Sequence, residues 1–470
     1  MGPETLAHFY YLMYLCNRKT KGLKNMNRTF ITLALLLTAG GVGAQEMALT
    51  ADDCMRYAVE HNHDIRISQL TQDTRRAERT GAIGAFLPSV NGSIGAQYNF
   101  GRAIDPETNT YTNVSTFYNG YSVQATLPVF DGFQRINQLR AAKASLLMGS
   151  SQLRAQQDEL ALQVFEAYCN VLYYQGTVKM AEEKREQSQL TLRQTQVMAE
   201  VGQKSEADVA QMEAQLAGDD YEITRQQNEL STALLTLKQL MNYPEEDSLV
   251  IAGEDRNTLS DRSTPNTQST LNTQTFGEPS TLENPAVAAA AQNVIVAKRR
   301  LSMARGALSP SLSISGGIST SYNKMLHTEA TGFRDQLEAN RGEYIYASVS
   351  IPIFNRLENL TNIRRQRNNL RIAEEELEQK RDELVKLQLQ AANDCEGFRK
   401  QTLQMQHKVE ADSIAARLTT RKYEEGLSSA IDVQTSAATL LESRARLLQC
   451  RLMLALKQKL VNYYKGYPIL

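Results

Sequence analysis

The chain contains few residues whose type and spacing suit catalysis or metal binding. His61 and His63 lie two positions apart in a predicted helix, where their side chains point to different faces, so a solvated helix surface explains them better than a metal site. The acidic run 374–376 lies near Arg371 and Lys380, the pattern of an exposed helix face. The sequence has no nucleophile elbow, phosphate-binding loop or catalytic carboxylate pair. We therefore expect neither enzymatic activity nor a cofactor.

The cysteines do not indicate a metal site either. Cys54, Cys169, Cys395 and Cys450 have no CxxC spacing, and all four fall in predicted helices. We expect free thiols packed between helices, although an exported compartment would permit a disulfide.

The N-terminal residues have the pattern of a secretory signal peptide. An apolar run from Phe30 to Val42 follows Arg28 and ends in small residues at Ala44. This run is shorter than the roughly 20 residues that a membrane-spanning helix needs. We expect residues 1–44 to be an extension and signal peptide, with Met26 as the true start, and the protein to be exported.

Composition narrows the class of partner. The 470 residues are 42% hydrophobic and 22% charged, which suits two or more domains and is too polar for a helical membrane protein. Without residues 1–44, 46 basic residues face 51 acidic ones, a net charge of −5. A mildly acidic chain with no basic stripe argues against nucleic acid as the partner.

Four stretches have the period-two alternation of two-sided β-strands. They are residues 87–100, 121–130, 309–322 and 343–354. Each places apolar side chains on one face and small polar side chains on the other. Residues 101–119, rich in Asn, Thr and Tyr, are expected to form a loop.

After the second strand the period changes to seven. Apolar residues recur in this way from Phe133 onward, among them Leu139, Leu146, Leu153 and Leu160. This is a coiled-coil seam, and a helix continuous from Phe133 to Glu200 would have about 68 residues and a length of roughly 100 Å. Gly202 and new heptads from Val209 predict a turn and an α-hairpin over residues 133–241.

The same construction occurs twice, which indicates a tandem duplication. The sequence Leu-Pro-Val-Phe around Pro128 returns as Ile-Pro-Ile-Phe around Pro352, and the heptads that follow each join keep the same offset. The predicted domains are therefore repeat 1 (45–242, opening with a helix over 50–85), a Ser/Thr/Pro-rich connector (243–284) and repeat 2 (285–470, with an α-hairpin over 358–463).

Strands with one apolar and one small polar face suit a transmembrane β-barrel, in which lipid and water lie on opposite sides. A β-sandwich would need a second layer, which four strands attached to such long helices do not supply. Unpaired strand edges in lipid cost several kcal/mol per group, so the sheet must close. Because barrels begin at about eight strands, copies of the chain must share one. Two copies would give eight strands with an interior filled by side chains, and three would give twelve strands around a lumen, which the small polar inner faces favour.

The paired strand-to-helix joins LPVFDG (127–132) and IPIFNR (351–356), with the paired tips VGQKSEADV (201–209) and EGLSSAIDV (425–433), resemble the TolC-like outer-membrane efflux protein family. The resemblance covers residues 45–466. It implies an α+β membrane protein: a homotrimer with a twelve-stranded transmembrane β-barrel, four strands per chain, continued by a coiled-coil tunnel through the periplasm.

The resemblance also implies partners and a role. The chain would lie in the bacterial outer membrane, in contact with its lipid, as a passive conduit of a tripartite efflux system. A periplasmic adaptor (membrane fusion protein) would dock on the hairpin tips, and an inner-membrane transporter of the RND type would supply energy.

Individual positions are implied by the same resemblance. Asp432 matches an acidic ring at the periplasmic gate, whereas the next ring position is Thr435. Tyr423 and Asp208 match residues that link neighbouring hairpins, and Ser428 occupies the arginine position of that link. For Asp208 a helix N-cap is an equally good explanation, and Tyr423 could be an ordinary coiled-coil side chain.

Further positions are assigned by their place in the repeat. Gly202, Val209, Gly426 and Val433 mark the tips at which the adaptor would dock. The strand-to-helix joins are marked by Pro128, Gly132 and Pro352.

Two alternatives remain open from the sequence. A channel for type I protein secretion or for metal-ion export would share this fold and differ in partner. An exported coiled-coil scaffold would instead be soluble, with the strand-like segments serving as linkers.

Overall fold

The computed structural model describes residues 48–104, 109–113, 115–252, 284–325 and 332–469. The expected signal peptide and most of the expected connector lie outside these ranges. The chain divides into two units, Met1–Leu49 with Val250–Ala252, and Thr50–Leu249 with Gly253–Leu470. In the smaller unit, Leu49 and Ile251 form a parallel β-bridge.

The elements described below all belong to the larger unit. Its helices are α1 (Ala51–His61), α2 (His63–Gly84), α3 (Gln134–Glu200), α4 (Glu206–Met241), α5 (Pro285–Gly306), α6 (Phe333–Ala339), α7 (Glu358–Glu424) and α8 (Ala430–Tyr464). Its strands are β1 (Ser89–Asn99), β2 (Arg102–Ile104), β3 (Tyr111–Asn113), β4 (Thr116–Phe130), β5 (Ser311–Met325) and β6 (Gly342–Ser350). Among the helices of the described residues, none combines the length and the apolar character needed to span a bilayer.

The two long helices follow from the heptads. Helices α3 and α7 each have 67 residues, about 100 Å at 1.5 Å per residue. Helix α3 packs along α4 and α7 packs along α8, so each repeat forms an α-hairpin. Helix α3 also contacts α1, α2, α5 and α8, and α5 contacts α7. Fully buried side chains concentrate on α1, α3 and α4, and include Met55, Val164, Tyr168, Leu237 and Met241.

The prediction of one helix over residues 50–85 is wrong, because the chain breaks at Asn62. Its backbone is extended (φ −65°, ψ 137°), and its side-chain oxygen accepts from the backbone N–H of Asp64, which caps α2. Its amide Nδ2 also donates to the carbonyl of Leu240 at 2.9 Å. This contact joins parts of the chain that are far apart in sequence, so the local hydrophobic periodicity could not predict it. Thr50 caps α1.

Four strands form one antiparallel sheet in the order β1-β4-β5-β6, so the repeats join through β4 and β5. Strand β4 starts at Thr116, before the predicted residue 121, because its outer residues pair with both β1 and β5. Strands β2 and β3 pair within the stretch predicted to be a loop.

The two proline-containing joins differ. Pro128 lies inside β4, where the ladder to β5 shifts between Pro128 and Phe130. Strand β6 ends at Ser350, so Pro352, expected inside a strand over 343–354, lies after it. A proline has no N–H for a ladder and is tolerated where the ladder is irregular or has ended.

The sheet has the two chemically distinct faces that the alternation predicts. On one face, apolar pairs such as Val123 with Ile318 lie opposite each other, and Ile94 and Ile345 are 76% and 88% exposed. On the other face hydroxyl groups pair across strands. These pairs are Ser93 with Ser122 at 2.7 Å, Ser313 with Ser348 at 2.8 Å, and Thr126 with Ser315 at 3.1 Å.

The four described cysteines are free thiols. Cys54 and Cys169 are buried, and Cys395 and Cys450 are partly buried. Burial raises the pKa of Cys54 and of Cys169 to about 12, so both are protonated and unreactive at neutral pH.

Candidate functional site: the tips of the two α-hairpins

Each tip turns on a glycine with a left-handed backbone. Gly202 (φ +76°) follows α3, and Gly426 (φ +74°) follows α7. The turns close with backbone bonds from Gln203 N to Met198 O at 2.8 Å and from Leu427 N to Lys422 O at 2.7 Å. An added Cβ would meet nothing within 4 Å at either glycine, so the requirement is conformational rather than spatial.

The two aspartates at the tips belong to capping boxes. Ser205 caps α4: its backbone N–H and its Oγ donate to Asp208 Oδ2 at 2.9 and 2.8 Å, and Oγ accepts from Asp208 N at 3.2 Å. Ser429 and Asp432 repeat these contacts at α8. These bonds, the backbone one first, lower the pKa of both aspartates, which are therefore ionised at neutral pH. Neither aspartate is itself the N-cap.

Ser428 and Thr435 lie on either side of Asp432. Ser428 Oγ donates to Asp432 Oδ2 at 2.9 Å, so the residue at the expected arginine position supports the carboxylate from within its own tip. Thr435 Oγ1 donates to Ile431 O at 2.8 Å, one turn back along its own helix. Asp432 and Thr435 are both exposed.

Tyr423 joins the two hairpins. Its side chain is 1% exposed, and its hydroxyl lies 2.6 Å from Thr195 Oγ1 on α3. Because Thr195 donates its only hydroxyl hydrogen to Thr191 O at 2.8 Å, Tyr423 must be the donor in the bond to Thr195. Lys204 Nζ lies 4.5 Å from the centroid of the Tyr423 ring, a cation–π contact.

An apolar cluster surrounds this tyrosine. It comprises Met212, Tyr423, Ala430 and Val433, with Leu192 packed against it. Val433 is thus buried and Val209 partly buried, whereas Val201 and Leu427 are 66% and 74% exposed. The structure therefore brings Tyr423 and Val433 together and leaves Asp208 in a separate contact with Ser205.

A polar cluster lies between the two helices of each hairpin, buried in the first hairpin and partly exposed in the second. In the first, buried Asp219 accepts from Lys184 at 2.8 Å, Ser188 at 2.6 Å and Gln215 at 2.7 Å. In the second, Asp412 accepts from Lys408 at 2.7 Å and from Ser443. The duplication makes three pairs of positions equivalent: Lys184 with Lys408, Ser188 with Asp412, and Asp219 with Ser443. The aspartate and serine have exchanged helices between the repeats.

The strand-to-helix joins also differ between repeats. A Cβ on Gly132 (φ +66°) would lie 2.2 Å from the carbonyl oxygen of Gly306, so only glycine fits there. Arg135 holds this join through Asp131 at 2.9 Å and Pro128 O at 2.5 Å. In repeat 2 the corresponding residues Arg356 (φ 54°) and Leu357 (φ 65°) adopt the left-handed conformation without a glycine.

Several site residues were not predicted from the sequence. Ser205 and Ser429 could have been found, because Ser-x-x-Asp before an apolar run is a capping-box pattern. No sequence pattern identified Thr195 or Lys204, because both contact Tyr423, which lies in the other repeat. His61, considered as a metal ligand, contacts the carbonyl of Tyr57 at 2.9 Å and stacks on its ring. In the part of the chain that the structure describes, no group of three His, Cys, Asp or Glu residues could hold a metal ion.

Comparison with known proteins gives one family. The profile of the outer membrane efflux protein family matches residues 55–243 and 280–461. The protease secretion protein PrtF of Dickeya chrysanthemi is 22% identical over 223 residues, 47% of each chain. The pyoverdine export outer membrane protein OpmQ of Pseudomonas aeruginosa is 23% identical over 435 residues, 90% of this chain and 85% of OpmQ. The match thus spans about half the length of PrtF and most of OpmQ.

A solved structure of CusC has the same fold. It superposes with a TM-score of 0.76 at 18% identity over 89% of this chain and 92% of CusC. The predicted fold class, a small membrane sheet of four strands per chain continued by long coiled-coil hairpins, is confirmed by this likeness. The family and the fold are those of channel proteins rather than enzymes. The family profile matches more than half of the residues of this chain, and the chain therefore belongs to the outer membrane efflux protein family.

Proposed function

We propose that this chain is the outer-membrane channel-tunnel of a tripartite efflux system. Three copies share one twelve-stranded barrel, and their α-hairpins continue it as a tunnel through the periplasm. The channel is a passive conduit to the exterior, while an inner-membrane transporter of the RND type supplies the energy and a periplasmic adaptor joins the two.

One observation carries this proposal: the sheet is apolar and exposed on one face and hydroxyl-lined on the other. Such a sheet is stable where lipid covers one face and water the other. Its outer strands β1 and β6 have one neighbour each among the described residues, so each chain has two open edges. In lipid these edges must pair, and pairing between copies closes the sheet without new elements. Three copies supply twelve strands, which surround a lumen.

The hairpin tips act as the periplasmic gate in this proposal. Tyr423, bonded to Thr195 and covered by Lys204, holds the second hairpin against the first, so outward movement of α7 and α8 requires these contacts to break. Asp432, supported by Ser428, contributes a ring of three negative charges, one per copy. Because Thr435 carries no charge, the constriction has a single acidic ring at these positions, and Asp208 stabilises its own turn rather than the link.

The adaptor docks on the exposed part of the tips. Gly202 and Gly426 set the turns, and the neighbouring Val201 and Leu427 present exposed apolar side chains. Val209 and Val433 support the same surface from inside, because they are partly or fully buried. A small apolar contact at each tip suits docking of a helical partner.

The cargo is selected elsewhere in the assembly. Hydroxyl groups on the inner face of the sheet offer no charge or deep pocket that would recognise one substrate. Protein secretion is a second candidate, because the chain is similar to the protease secretion protein PrtF as well as to the pyoverdine export protein OpmQ. Deletion of the gene, tested against a panel of toxic compounds and against the secreted proteins, separates the two.

Fractionation and conductance test the channel itself. We expect the protein in the outer-membrane fraction, extracted only by detergent, and ion-conducting after reconstitution into planar bilayers. The substitution D432N should reduce the preference for cations over anions, because it removes the charged ring. A fully soluble protein without conductance would contradict the proposal and favour the coiled-coil scaffold.

A further inference from the structure

Strand β5 extends beyond its neighbour β6 at the end of the sheet farthest from the long helices. The pairing between them ends with Ser319 opposite Gly342, whereas β5 continues to Met325. Among the residues that the structure describes, no strand pairs with the backbone groups of residues 320–325 on the β6 side.

Helix α6 covers this edge with side chains that replace the missing strand. Gln336 Nε2 donates to Asn323 O at 2.9 Å, and Asn323 N donates to Gln336 Oε1 at 2.9 Å, the same exchange that a strand residue would make. Asn340 Nδ2 donates to Ser321 O at 2.8 Å. Water could satisfy these backbone groups in solution, so the cover has most value where water is scarce.

Helix α6 also contributes to an aromatic band on the apolar face. The Phe333 ring lies 5.1 Å from Tyr322 and 6.5 Å from Tyr121 between centroids. The band continues through Phe117, 6.3 Å from Tyr322, to Tyr98, 4.7 Å from Phe117. It crosses β5, β4 and β1 near the end of the sheet farthest from the long helices.

A second aromatic pair lies at the opposite end of the same face. Phe130 and Phe133 contact each other with centroids 5.3 Å apart, and Phe130 pairs with Leu312 of β5. The stretch of β5 from Leu312 to Tyr322 measures about 33 Å along the strand and about 25 Å across a bilayer at a tilt of about 40°. This separation equals the height of the apolar band of an outer-membrane barrel.

We propose that α6 is an interfacial helix, resting on the outer leaflet at the boundary between acyl chains and headgroups. Phe333 lies at the acyl side of this boundary, and the exposed charged residues Arg334, Asp335 and Glu338 lie among the headgroups. The helix closes the edge of β5 at the level where a bilayer begins to exclude water. This inference rests on the proposed barrel, because it requires the apolar face to meet lipid.

The chain contains no tryptophan, which permits a depth measurement without background. Single substitutions F333W, I345W on the lipid-facing side and Y346W on the hydroxyl-lined side are reconstituted into phosphatidylcholine vesicles. The vesicles carry bromine at shallow or deep acyl positions, and iodide serves as the aqueous quencher. If I345W fails to fold, I94W on the same face replaces it.

We expect deep bromine to quench I345W most strongly, shallow bromine to quench F333W most strongly, and iodide to quench Y346W. Quenching of F333W by iodide alone, with I345W still quenched by deep bromine, would overturn the inference about α6 and leave the barrel intact. Absence of bromine quenching at both I345W and I94W would instead contradict the proposed function.

A second variant tests the edge contact without a fluorescent probe. Q336A should increase several-fold the hydrogen exchange of the Asn323 amide, followed in the β5 peptide containing residues 320–325, in reconstituted protein. Q97A, which removes a side-chain amide on β1 away from this edge, should leave this exchange unchanged. Equal exchange in wild type and Q336A would show that Gln336 does not protect the edge and would contradict the proposal.

Discussion

The hydroxyl of Tyr423 on α7 donates a hydrogen bond of 2.6 Å to Thr195 on α3, and this buried bond joins the two α-hairpins near their tips. No charge takes part in the bond itself. The neighbouring charged group is Lys204, which lies over the face of the tyrosine ring rather than against its hydroxyl.

Removing this bond should loosen the tips and raise the open probability of the channel. Y423F removes the donor but leaves Thr195 bonded to Thr191, so we expect a loss of about 1 kcal/mol, a roughly five-fold shift toward the open state. T195V leaves the tyrosine hydroxyl buried without its acceptor and should cost more. Single-channel recording measures both. T232V, at an exposed hydroxyl on α4 that donates to a backbone carbonyl of its own helix, is the matched control, and an unchanged open probability in Y423F would contradict the assignment.

The capping boxes predict a pH dependence of the tips. Hydrogen bonds lower the folded-state pKa of Asp208 and Asp432 below the unfolded value near 4, so their stabilisation is complete above that value. It is lost as the pH falls through the lowered folded-state pKa. Limited proteolysis at the tips should therefore accelerate in acid, below about pH 4, and change little between pH 5 and 8. In D208N/D432N the acid step should disappear, and its persistence would assign it to other groups.

The two polar clusters predict that aspartate and serine can be exchanged within a hairpin. D219S alone leaves Lys184 largely buried without its carboxylate, and we expect a loss of about 3 kcal/mol. The double substitution S188D/D219S reproduces the arrangement of the second hairpin and should recover most of that loss. Thermal unfolding of the detergent-extracted protein compares the wild type with these two variants. A double variant no more stable than D219S would show that the repeats are not interchangeable here.

The two strand-to-helix joins predict that replacing a glycine destabilises the protein in repeat 1 and that introducing one stabilises it in repeat 2. G132A forces a Cβ against the carbonyl oxygen of Gly306 at a positive φ, so it should prevent assembly or lower the melting temperature by many degrees. R356G relieves a left-handed arginine and should stabilise by up to about 1 kcal/mol. The melting temperature measures both, and a destabilised R356G would show that the arginine side chain has a role of its own.

Much of the fold could be predicted, because the two-residue hydrophobic period of the strands and the seven-residue period of the coiled-coil helices are visible in short stretches of sequence. The long helices α3 and α7 and the tips at Gly202 and Gly426 follow from these periods. Periodicity did not predict the break at Asn62, whose side chain bonds both the N–H of Asp64 and the carbonyl of Leu240. Strand β6 ends before Pro352, where its pairing with β5 stops at Ser350 opposite Ser311. This pairing could not be predicted from the local sequence.

Less of the candidate site at the hairpin tips than of the fold could be predicted from the sequence. Asp208 and Asp432 were identified, but their capping role emerged from their contacts with Ser205 and Ser429. The partner of Tyr423 belongs to the other repeat, and only packing of the two hairpins brings Thr195 to it. Helix α6 is a short element of 7 residues, too few for a periodic signal.

Native mass spectrometry of the detergent-extracted protein tests most directly whether three copies of this chain close one barrel. We expect one species with the mass of three mature chains that dissociates only under denaturing conditions. A monomer or dimer, or a species released without detergent, would contradict the shared barrel and with it the proposed channel.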